Sequence, residues 1–220
     1  VFFQQIDVEH GDHRGQNQTL EGIAPVQLGN GEEIGDDHQF VGNHHQSQEQ
    51  RKRQICLSVL LKPHYQQALE IGCSNGVFSE ALAARCDQLL CLDGHAKAVN
   101  LAQQRLATYS HIEVQQAWVP TQLPKHSFDL IIVSEILYYL DMAALYELMT
   151  WLNQHLTQGG TLLCCHWRHS IAGFELDGNQ VHQHLQQLNL KHYLTVKDPD
   201  FLIDVWSNAN INLAEQEGLV

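Results

Sequence analysis

The fold of this chain is decided by residues 68–76, which read Ala-Leu-Glu-Ile-Gly-Cys-Ser-Asn-Gly. A short apolar run ends at Glu70-Ile71, a Gly-x-x-x-Gly turn follows, and the spacing predicts an amphipathic helix over 76–86. A second apolar run, residues 89–92, also ends in an acid, Asp93. This is the pattern of a strand, a glycine turn, a helix and a second strand. It places two carboxylates at the carboxyl ends of parallel strands, where nucleoside cofactors bind.

The glycine spacing indicates which cofactor binds. Dinucleotide sites use Gly-x-Gly-x-x-Gly, so that a pyrophosphate can lie at the helix N-terminus. Here the middle glycine is missing, and Glu70 would repel a pyrophosphate. S-adenosylmethionine has no phosphate, but it carries a sulfonium, an ammonium and two ribose hydroxyls. We therefore expect it as the cofactor, with Glu70 near the ammonium and Asp93 on the ribose. The alternative is an ordinary βαβ turn with incidental acids.

Composition bounds the class of protein. The chain has 220 residues, is 44% hydrophobic and can bury one good core. No apolar run reaches the roughly 18 residues of a membrane span, and no secretory signal is visible. The net charge of −13 argues against a nucleic-acid surface. The six cysteines fall in predicted core elements without a framework spacing, which is typical of reduced thiols in a cytoplasmic protein.

Three segments are expected along the chain. Residues 1–46 are rich in Gln, His, Gly and Asp, and we expect a polar, partly disordered extension whose histidines match no metal-ligand spacing. The domain should cover 47–208, and Ser47-Gln48-Glu49-Gln50 is a capping-box pattern for its first helix. Residues 209–220 are expected to form a loose tail.

The predicted fold is α/β: a doubly wound, Rossmann-like sheet of about seven strands. Most strands should be parallel, and the short turn Asp198-Pro199-Asp200 predicts an antiparallel hairpin at the edge. The predicted strands are 67–71, 88–92, 112–116, 128–133, 161–165, 190–196 and 201–206. The predicted helices after the first are 76–86, 95–107, 141–156 and 179–188.

The pattern over about 47–206 resembles the class I S-adenosylmethionine-dependent methyltransferases. More narrowly it is similar to the NodS-like family, through residues 49–53, 68–76, 134–140 and 165–169. The resemblance implies N-methyltransferase activity, a small-molecule acceptor of the amino-sugar class and S-adenosylhomocysteine as product. Some relatives are encoded beside deacetylases, so a deacetylase is a possible functional partner. The oligomeric state is not indicated.

Two departures from that pattern affect the predicted site. Methyltransferases of this class commonly have an acid after strand three that binds the adenine amino group, and here Trp118 stands in its place. Adenine would then be held by stacking on the indole and by backbone groups near Val119. Relatives also have aromatic residues where this chain has Gln46-Ser47-Gln48. These departures support an alternative, a non-catalytic binding or scaffold domain that partners another enzyme. A nicotinamide oxidoreductase is opposed by Glu70 and the missing glycine.

The acceptor should lie at the carboxyl ends of strands four and five. Glu135 is predicted to orient an acceptor amine, or else to complement a helix dipole. His166 is predicted as the general base, with a hydrogen-bonded structural histidine as the alternative. Arg168 would bind an acidic group of the substrate or form an ion pair. Tyr138 and His169 complete the predicted substrate-binding residues. A metal pair of His166 and His169 is possible, but class I methyl transfer needs no metal.

Arg51 on the first helix is predicted to reach the methionine carboxylate. Otherwise it belongs to a solvated basic face, which Lys52 and Arg53 are expected to form. The complete set of predicted cofactor-binding residues is Arg51, Glu70, Gly72, Cys73, Ser74, Asn75, Gly76, Asp93, Gly94, Trp118, Val119 and Ser134.

Overall fold

The computed structural model describes residues 38–209 and 213–220. The expectations for residues 1–37 lie outside this part of the chain. Contacts divide the chain into two units, Val1–Arg51 and Lys52–Val220. The domain boundary expected at residue 47 is not tested and stays a prediction.

The first helix, α1, runs from His38 to Ser58. The prediction that a capping box at Ser47 opens this helix is wrong, because the helix begins earlier. Residues 38–46 contain no proline, the residue that disfavours a helix interior most strongly. The helix ends before Pro63, as expected.

The second unit contains a seven-stranded sheet in the order β3-β2-β1-β4-β5-β7-β6. β7 is antiparallel to both of its neighbours, whereas the other pairs are parallel. The predicted α/β sheet with an antiparallel edge hairpin is confirmed. The strands are β1 (Tyr65–Ile71), β2 (Cys86–Asp93), β3 (Ile112–Gln116), β4 (Phe128–Ser134), β5 (Leu156–Trp167), β6 (Lys191–Lys197) and β7 (Phe201–Ser207).

The helices of this unit mostly follow the predicted ranges. They are α2 (Val77–Leu82), α3 (Ala96–Leu106), α4 (Met142–His155), α5 (Gly178–Leu185) and α6 (Leu213–Gln216). A 3₁₀ turn, Ala83–Arg85, completes the segment predicted as one helix over 76–86. The short helix α6 lies in the segment expected to be a loose tail, and that expectation is wrong for these four residues.

β5 begins at Leu156, well before the predicted start at Thr161. Gly159-Gly160 was expected to lie outside the strand, but both residues belong to it. Gly159 has a φ of 70°, and the β4–β5 register shifts between Phe128 and Leu130. The glycines therefore mark an irregular part of the strand.

The core occupies both faces of the sheet. Along β4, Ile131 and Val133 pack into one buried cluster, and Leu130 and Ile132 into the other. This burial on both faces explains the continuous apolar run of a central parallel strand. All six cysteines are buried and free, so their placement in core elements is confirmed. Within residues 38–209 and 213–220, no helix is long and apolar enough to cross a membrane.

The strand order determines where a crevice opens at the edge of the sheet. From β1 the chain moves outward through β2 and β3, then returns to β4 on the other side of β1. A crevice opens at such a reversal, at the carboxyl ends of the strands. The residues that follow β1, β2, β3, β4 and β5 are therefore brought to one edge.

Candidate functional site

The turn after β1 is bent tightly toward β2. The backbone N–H groups of Gly72 and Cys73 both donate to the carbonyl of Leu92, at 2.8 and 3.0 Å. Gly72, Ser74 and Gly76 all have positive φ values, of 87°, 50° and 77°. Three of the five turn residues are therefore left-handed, a conformation that favours glycine, and two of these three are glycines.

Gly72 is required by a close approach as well as by its φ. A Cβ at this position would lie 2.5 Å from the carbonyl oxygen of Ser134 and 2.5 Å from Cγ2 of Ile136. The turn therefore passes directly against the end of β4. Gly76 differs, since a Cβ there would meet Ala102 and Leu106 of α3 at 3.1 Å. The missing side chain of Gly76 serves the packing of α2 on α3.

Glu70 lies at the end of β1 and is only 1% exposed. Its carboxyl accepts a hydrogen bond from the Ser79 hydroxyl, at 2.5 Å, and Cys91 Sγ lies 3.9 Å away. The pKa of Glu70 is raised to about 7, chiefly by burial and also by the nearby charge of Asp93, while the hydrogen bond from Ser79 opposes the rise. A buried carboxyl with such a pKa is prepared to lose its proton when a cation arrives.

Asp93 lies at the end of β2 and is also buried. It accepts hydrogen bonds from the backbone N–H groups of Ser74 at 2.9 Å and His95 at 2.8 Å. Burial raises the pKa of Asp93, although these two hydrogen bonds and the charge of His95 oppose the rise. A carboxylate has about four acceptor positions, so these two bonds leave room for hydroxyl donors.

The other turn residues contribute in different ways. The Cys73 side chain is buried, and both a hydrogen bond with Cys91 and burial raise the pKa of its thiol. This places the thiol in the core. The Asn75 side chain is exposed, and the backbone carbonyl of Asn75 accepts a hydrogen bond from Arg105 Nε at 2.9 Å.

Trp118 follows β3 and is 55% exposed. Its ring covers Gly94, where a Cβ would lie 3.1 Å from two atoms of the indole. The bend after it is closed by Gln122, whose backbone N–H donates to the Trp118 carbonyl at 2.8 Å. Half-buried Val119 precedes a cis proline in that bend. The structure thus brings Trp118 beside the loop that follows Asp93, as the predicted adenine site requires.

Glu135 follows β4 in a left-handed conformation, with a φ of 59°. Its carboxylate accepts hydrogen bonds from Lys52 Nζ at 2.6 Å, from the Trp167 backbone N–H at 3.0 Å and from the Tyr138 hydroxyl. The backbone N–H of Glu135 donates to Cys165 at 2.9 Å. These contacts hold a conformation that costs a non-glycine residue about 1–2 kcal/mol.

Lys52 was missed by the sequence analysis. The expectation that it forms a solvated face with Arg53 is wrong for Lys52, which is only 4% exposed. It lies one helical turn before the buried residue Cys56, and this i, i+4 spacing could have revealed it. Arg51 is an exposed residue of the first unit, and its proposed contact with the cofactor stays a prediction.

His166 is fully buried and both of its ring nitrogens have partners. Nδ1 lies 3.1 Å from His182 Nε2, and Nε2 lies 3.4 Å from the Leu137 backbone nitrogen. Burial, together with the charges of His182 and Lys52, lowers the pKa of His166 well below its ordinary value. This geometry favours the alternative interpretation of a structural histidine over a general base.

The remaining predicted substrate residues are also engaged within the protein. Arg168 donates to Asn179 Oδ1 at 2.9 Å and to the Asp198 carbonyl at 2.6 Å, so it ties the end of β5 to α5 and to the β6–β7 turn. His169 is exposed and lies 2.9 Å from Asp200.

Tyr138 is a predicted substrate-binding residue, and Tyr139 follows it in the same turn. Tyr138 is 2% exposed and hydrogen-bonds Glu135, whereas Tyr139 is half-buried and packs edge-on against Phe174. Burial raises the pKa of both phenols. Ser134 is half-buried at the end of β4, where its carbonyl faces Gly72.

A family model described as Nodulation protein S (NodS) matches residues 35–199. The chain belongs to the NodS family. Nodulation protein S of Bradyrhizobium diazoefficiens is 32% identical over 141 residues, which are 58% of this chain and 65% of that protein. Nodulation protein S of Sinorhizobium fredii is 35% identical over 137 residues, 58% of this chain and 62% of that protein. The chain thus spans less than two thirds of the length of these NodS proteins.

Solved structures agree with the family. N-methyltransferase NodS from Bradyrhizobium japonicum, solved with S-adenosylhomocysteine, is 28% identical with a TM-score of 0.64, and the match covers 79% of this chain and 89% of that one. A candidate methyltransferase from Pseudomonas syringae is 41% identical with a TM-score of 0.65, and the match covers 73% of this chain and 99% of that one. This NodS family member therefore has the Rossmann-like methyltransferase fold.

Replacing Gly72 tests the contact between the β1 turn and β4. In Gly72→Ala the new methyl would meet the Ser134 carbonyl, which is backbone and cannot rotate away. Gly173→Ala is the matched control, since Gly173 has a similar φ of 88° but nothing within 4 Å. The left-handed conformation should lower the free energy of unfolding of both variants by about 1–2 kcal/mol. In Gly72→Ala the contact with Ser134 should lower the free energy of unfolding by about 1–3 kcal/mol more, measured by urea unfolding. Equal losses would mean that the turn does not approach β4 this closely.

Proposed function

We propose that this chain is an S-adenosylmethionine-dependent methyltransferase that methylates a nitrogen of a small acceptor, such as an amino sugar. The observation that carries the proposal is the pair of buried carboxyls, Glu70 and Asp93, at the ends of adjacent strands. Family membership supports it, as does the NodS structure described as an N-methyltransferase in complex with S-adenosylhomocysteine.

The residues present fit this cofactor. Burying a carboxylate is costly unless a charge or hydrogen bonds compensate it, and a cationic ligand supplies that charge at Glu70. Asp93 accepts hydrogen bonds from the ribose hydroxyls. The exposed face of Trp118, with Val119, contacts adenine. A contact of Arg51 with the methionine carboxylate stays a prediction from the sequence. The backbone of the segments at Gly72–Gly76, Gly94 and Ser134 borders the methionine and ribose parts.

Methyl transfer asks the protein for alignment and for an unprotonated nitrogen. The cofactor supplies a methyl group that is already activated by its sulfonium. Glu135 accepts a hydrogen bond from the acceptor nitrogen, so that the nitrogen lone pair points toward the crevice. Lys52 offsets the charge of Glu135 at 2.6 Å, which weakens the preference of this site for a protonated amine.

The other acceptor residues have supporting parts in this proposal. Because His166 is buried with both nitrogens bonded, we do not assign proton removal to it. Tyr138 acts through Glu135, and exposed His169 borders the acceptor entrance. A cytoplasmic location and a deacetylase partner remain predictions from the sequence.

A binding or scaffold role is the second candidate, and Trp118 in place of an acid favours it. Cofactor affinity separates the two roles, because a scaffold does not need to bind S-adenosylmethionine. The enzyme should bind S-adenosylhomocysteine in isothermal titration and transfer a radiolabelled methyl group to a chitin oligosaccharide with a free amine. An absence of binding at high micromolar concentration would sink the enzyme assignment and leave the scaffold.

Removing the Asp93 carboxylate should weaken binding of S-adenosylhomocysteine. Asp93→Ala loses the acceptor for the ribose hydroxyls, and we expect the Kd to rise roughly ten-fold or more. The matched control is Asp87→Ala, at the exposed opposite end of β2, where Asp87 pairs with His64 at 2.8 Å. Its Kd should equal that of the wild type. Similar Kd values for both variants would remove Asp93 from the ribose site.

Cofactor binding should release a proton near neutral pH. The pKa of Glu70 is raised to about 7 in the free protein, and a nearby ammonium must lower it. Between about pH 6 and 7 the free protein therefore holds more protons than the complex, so affinity for S-adenosylhomocysteine rises with pH. Titrations in buffers of different ionisation enthalpy measure the released protons.

Glu70→Gln is the control for this linkage, because glutamine cannot titrate. Its affinity should be lower and nearly independent of pH in the same window. If the wild type releases no protons on binding, Glu70 does not face the ammonium.

A further inference from the structure

A buried chain of hydrogen bonds runs from the antiparallel edge of the sheet to the end of β4. Asp204 Oδ2 on β7 lies 2.6 Å from His182 Nδ1 on α5. His182 Nε2 lies 3.1 Å from His166 Nδ1 on β5. His166 Nε2 lies 3.4 Å from the Leu137 backbone nitrogen, a long hydrogen bond. All three side chains are at most 2% exposed, and the proposed reaction does not use them directly.

The direction of each hydrogen bond in this series follows from the group at its Leu137 end. The Leu137 backbone N–H can only donate, so His166 Nε2 must accept. A neutral imidazole then carries its proton on Nδ1 and donates it to His182 Nε2. His182 in turn donates its Nδ1–H to Asp204. Burial lowers the pKa of His166 well below its ordinary value, which keeps its ring neutral as this order requires.

Asp204 is a fixed end for the chain. Burial would raise its pKa, but hydrogen bonds from His182, Thr195 and His192 outweigh burial and lower the pKa below its ordinary value. His192 Nε2 lies 2.8 Å from Oδ1, and the Thr195 hydroxyl donates to the same oxygen. A carboxylate that stays charged fixes the tautomer of His182, and His182 fixes that of His166.

This cluster does not resemble a metal centre. Within the described part of the chain, no group of three or more His, Cys, Asp and Glu side chains could hold a metal ion. The directed hydrogen bonds also use the ring nitrogens that a metal would need. The hydrogen bonds from Asp204 to Leu137 therefore serve to orient the side chains and the backbone turn that they connect.

The Leu137 end of this series of hydrogen bonds lies beside the proposed acceptor site. Leu137 opens a one-turn 3₁₀ helix, Leu137–Tyr139, immediately after the Glu135-Ile136 bend. Tyr138 in this turn donates its hydroxyl to Glu135 and packs edge-on against His166, with ring centroids 5.6 Å apart. His166 therefore contacts the turn twice, through the Leu137 amide and the Tyr138 ring.

We propose that Asp204, His182 and His166 are positioning residues that hold the Leu137–Tyr139 turn, so that Tyr138 keeps the Glu135 carboxylate aimed at the acceptor. The inference rests on the proposed function for its effect on catalysis. Its structural step, from His166 to Leu137, stands on the hydrogen-bond geometry alone. This arrangement parallels the orienting partners of other functional histidines, whose loss costs activity although they touch no substrate.

Two substitutions of His166 separate positioning from mere packing. The amide of His166→Gln reaches about where Nε2 stands, so it can still accept from Leu137. The amide of His166→Asn reaches only about where Nδ1 stands, so it keeps the contact to His182 and loses Leu137. His64→Gln is the control, because it alters the exposed pair of His64 with Asp87, which lies near the start of β2 and away from the proposed site.

We expect His166→Asn to lower kcat with the chitin oligosaccharide amine about ten-fold, with His166→Gln restoring most of it. The Kd for S-adenosylhomocysteine should stay unchanged in both, since His166 contacts Leu137, Tyr138 and His182, which are not proposed cofactor residues. In hydrogen-exchange mass spectrometry, peptides covering 135–140 should exchange about ten-fold faster in His166→Asn and near the wild-type rate in His166→Gln. His64→Gln should match the wild type in every assay.

The proposal is overturned if the two His166 variants exchange at the same rate over 135–140, or if neither differs from the wild type. It is also overturned if exchange differs as expected but kcat does not follow. Wild-type protein that binds no S-adenosylhomocysteine would instead refute the proposed function, and the exchange experiment would still decide whether His166 holds Leu137.

Discussion

The burial of two carboxyls side by side is the constraint on which the site depends. Glu70 and Asp93 end adjacent parallel strands, and each is at most 5% exposed. Like charges taken out of water raise each other's pKa, and desolvation adds to the effect. Hydrogen bonds from Ser79, Ser74 and His95 compensate only part of this cost. A ligand that brings a positive charge and hydroxyl donors compensates the rest.

The placement of Glu70 and Asp93 at the ends of adjacent strands could be predicted from the sequence because these parts are local. Glu70 and the glycine turn lie in one segment, and Asp93 follows one helix later, so strand periodicity was sufficient to bring them together. The sheet topology could be predicted for the same reason, since alternating strands and helices leave few arrangements. The start of α1 and the early start of β5 were missed, because polar residues can continue a helix and glycines can lie inside a strand.

The surroundings of Glu135 and His166 could not be predicted to the same extent. Lys52 and Glu135 are separated by 83 positions in the sequence, and only the packing of α1 places the ammonium 2.6 Å from the carboxylate. His166, His182 and Asp204 come from β5, α5 and β7. Spacing along the sequence contains no sign of their order, so the sequence could not decide between a general base and a hydrogen-bonded structural histidine at His166.

A crystal structure with S-adenosylhomocysteine tests the central claim most directly. The account predicts both ribose hydroxyls within about 3.5 Å of Asp93 oxygens and the ligand ammonium on the Glu70 side of the turn. The account would be contradicted if the ligand occupied another part of the sheet edge. A ribose that makes no hydrogen bond to Asp93 would contradict it equally.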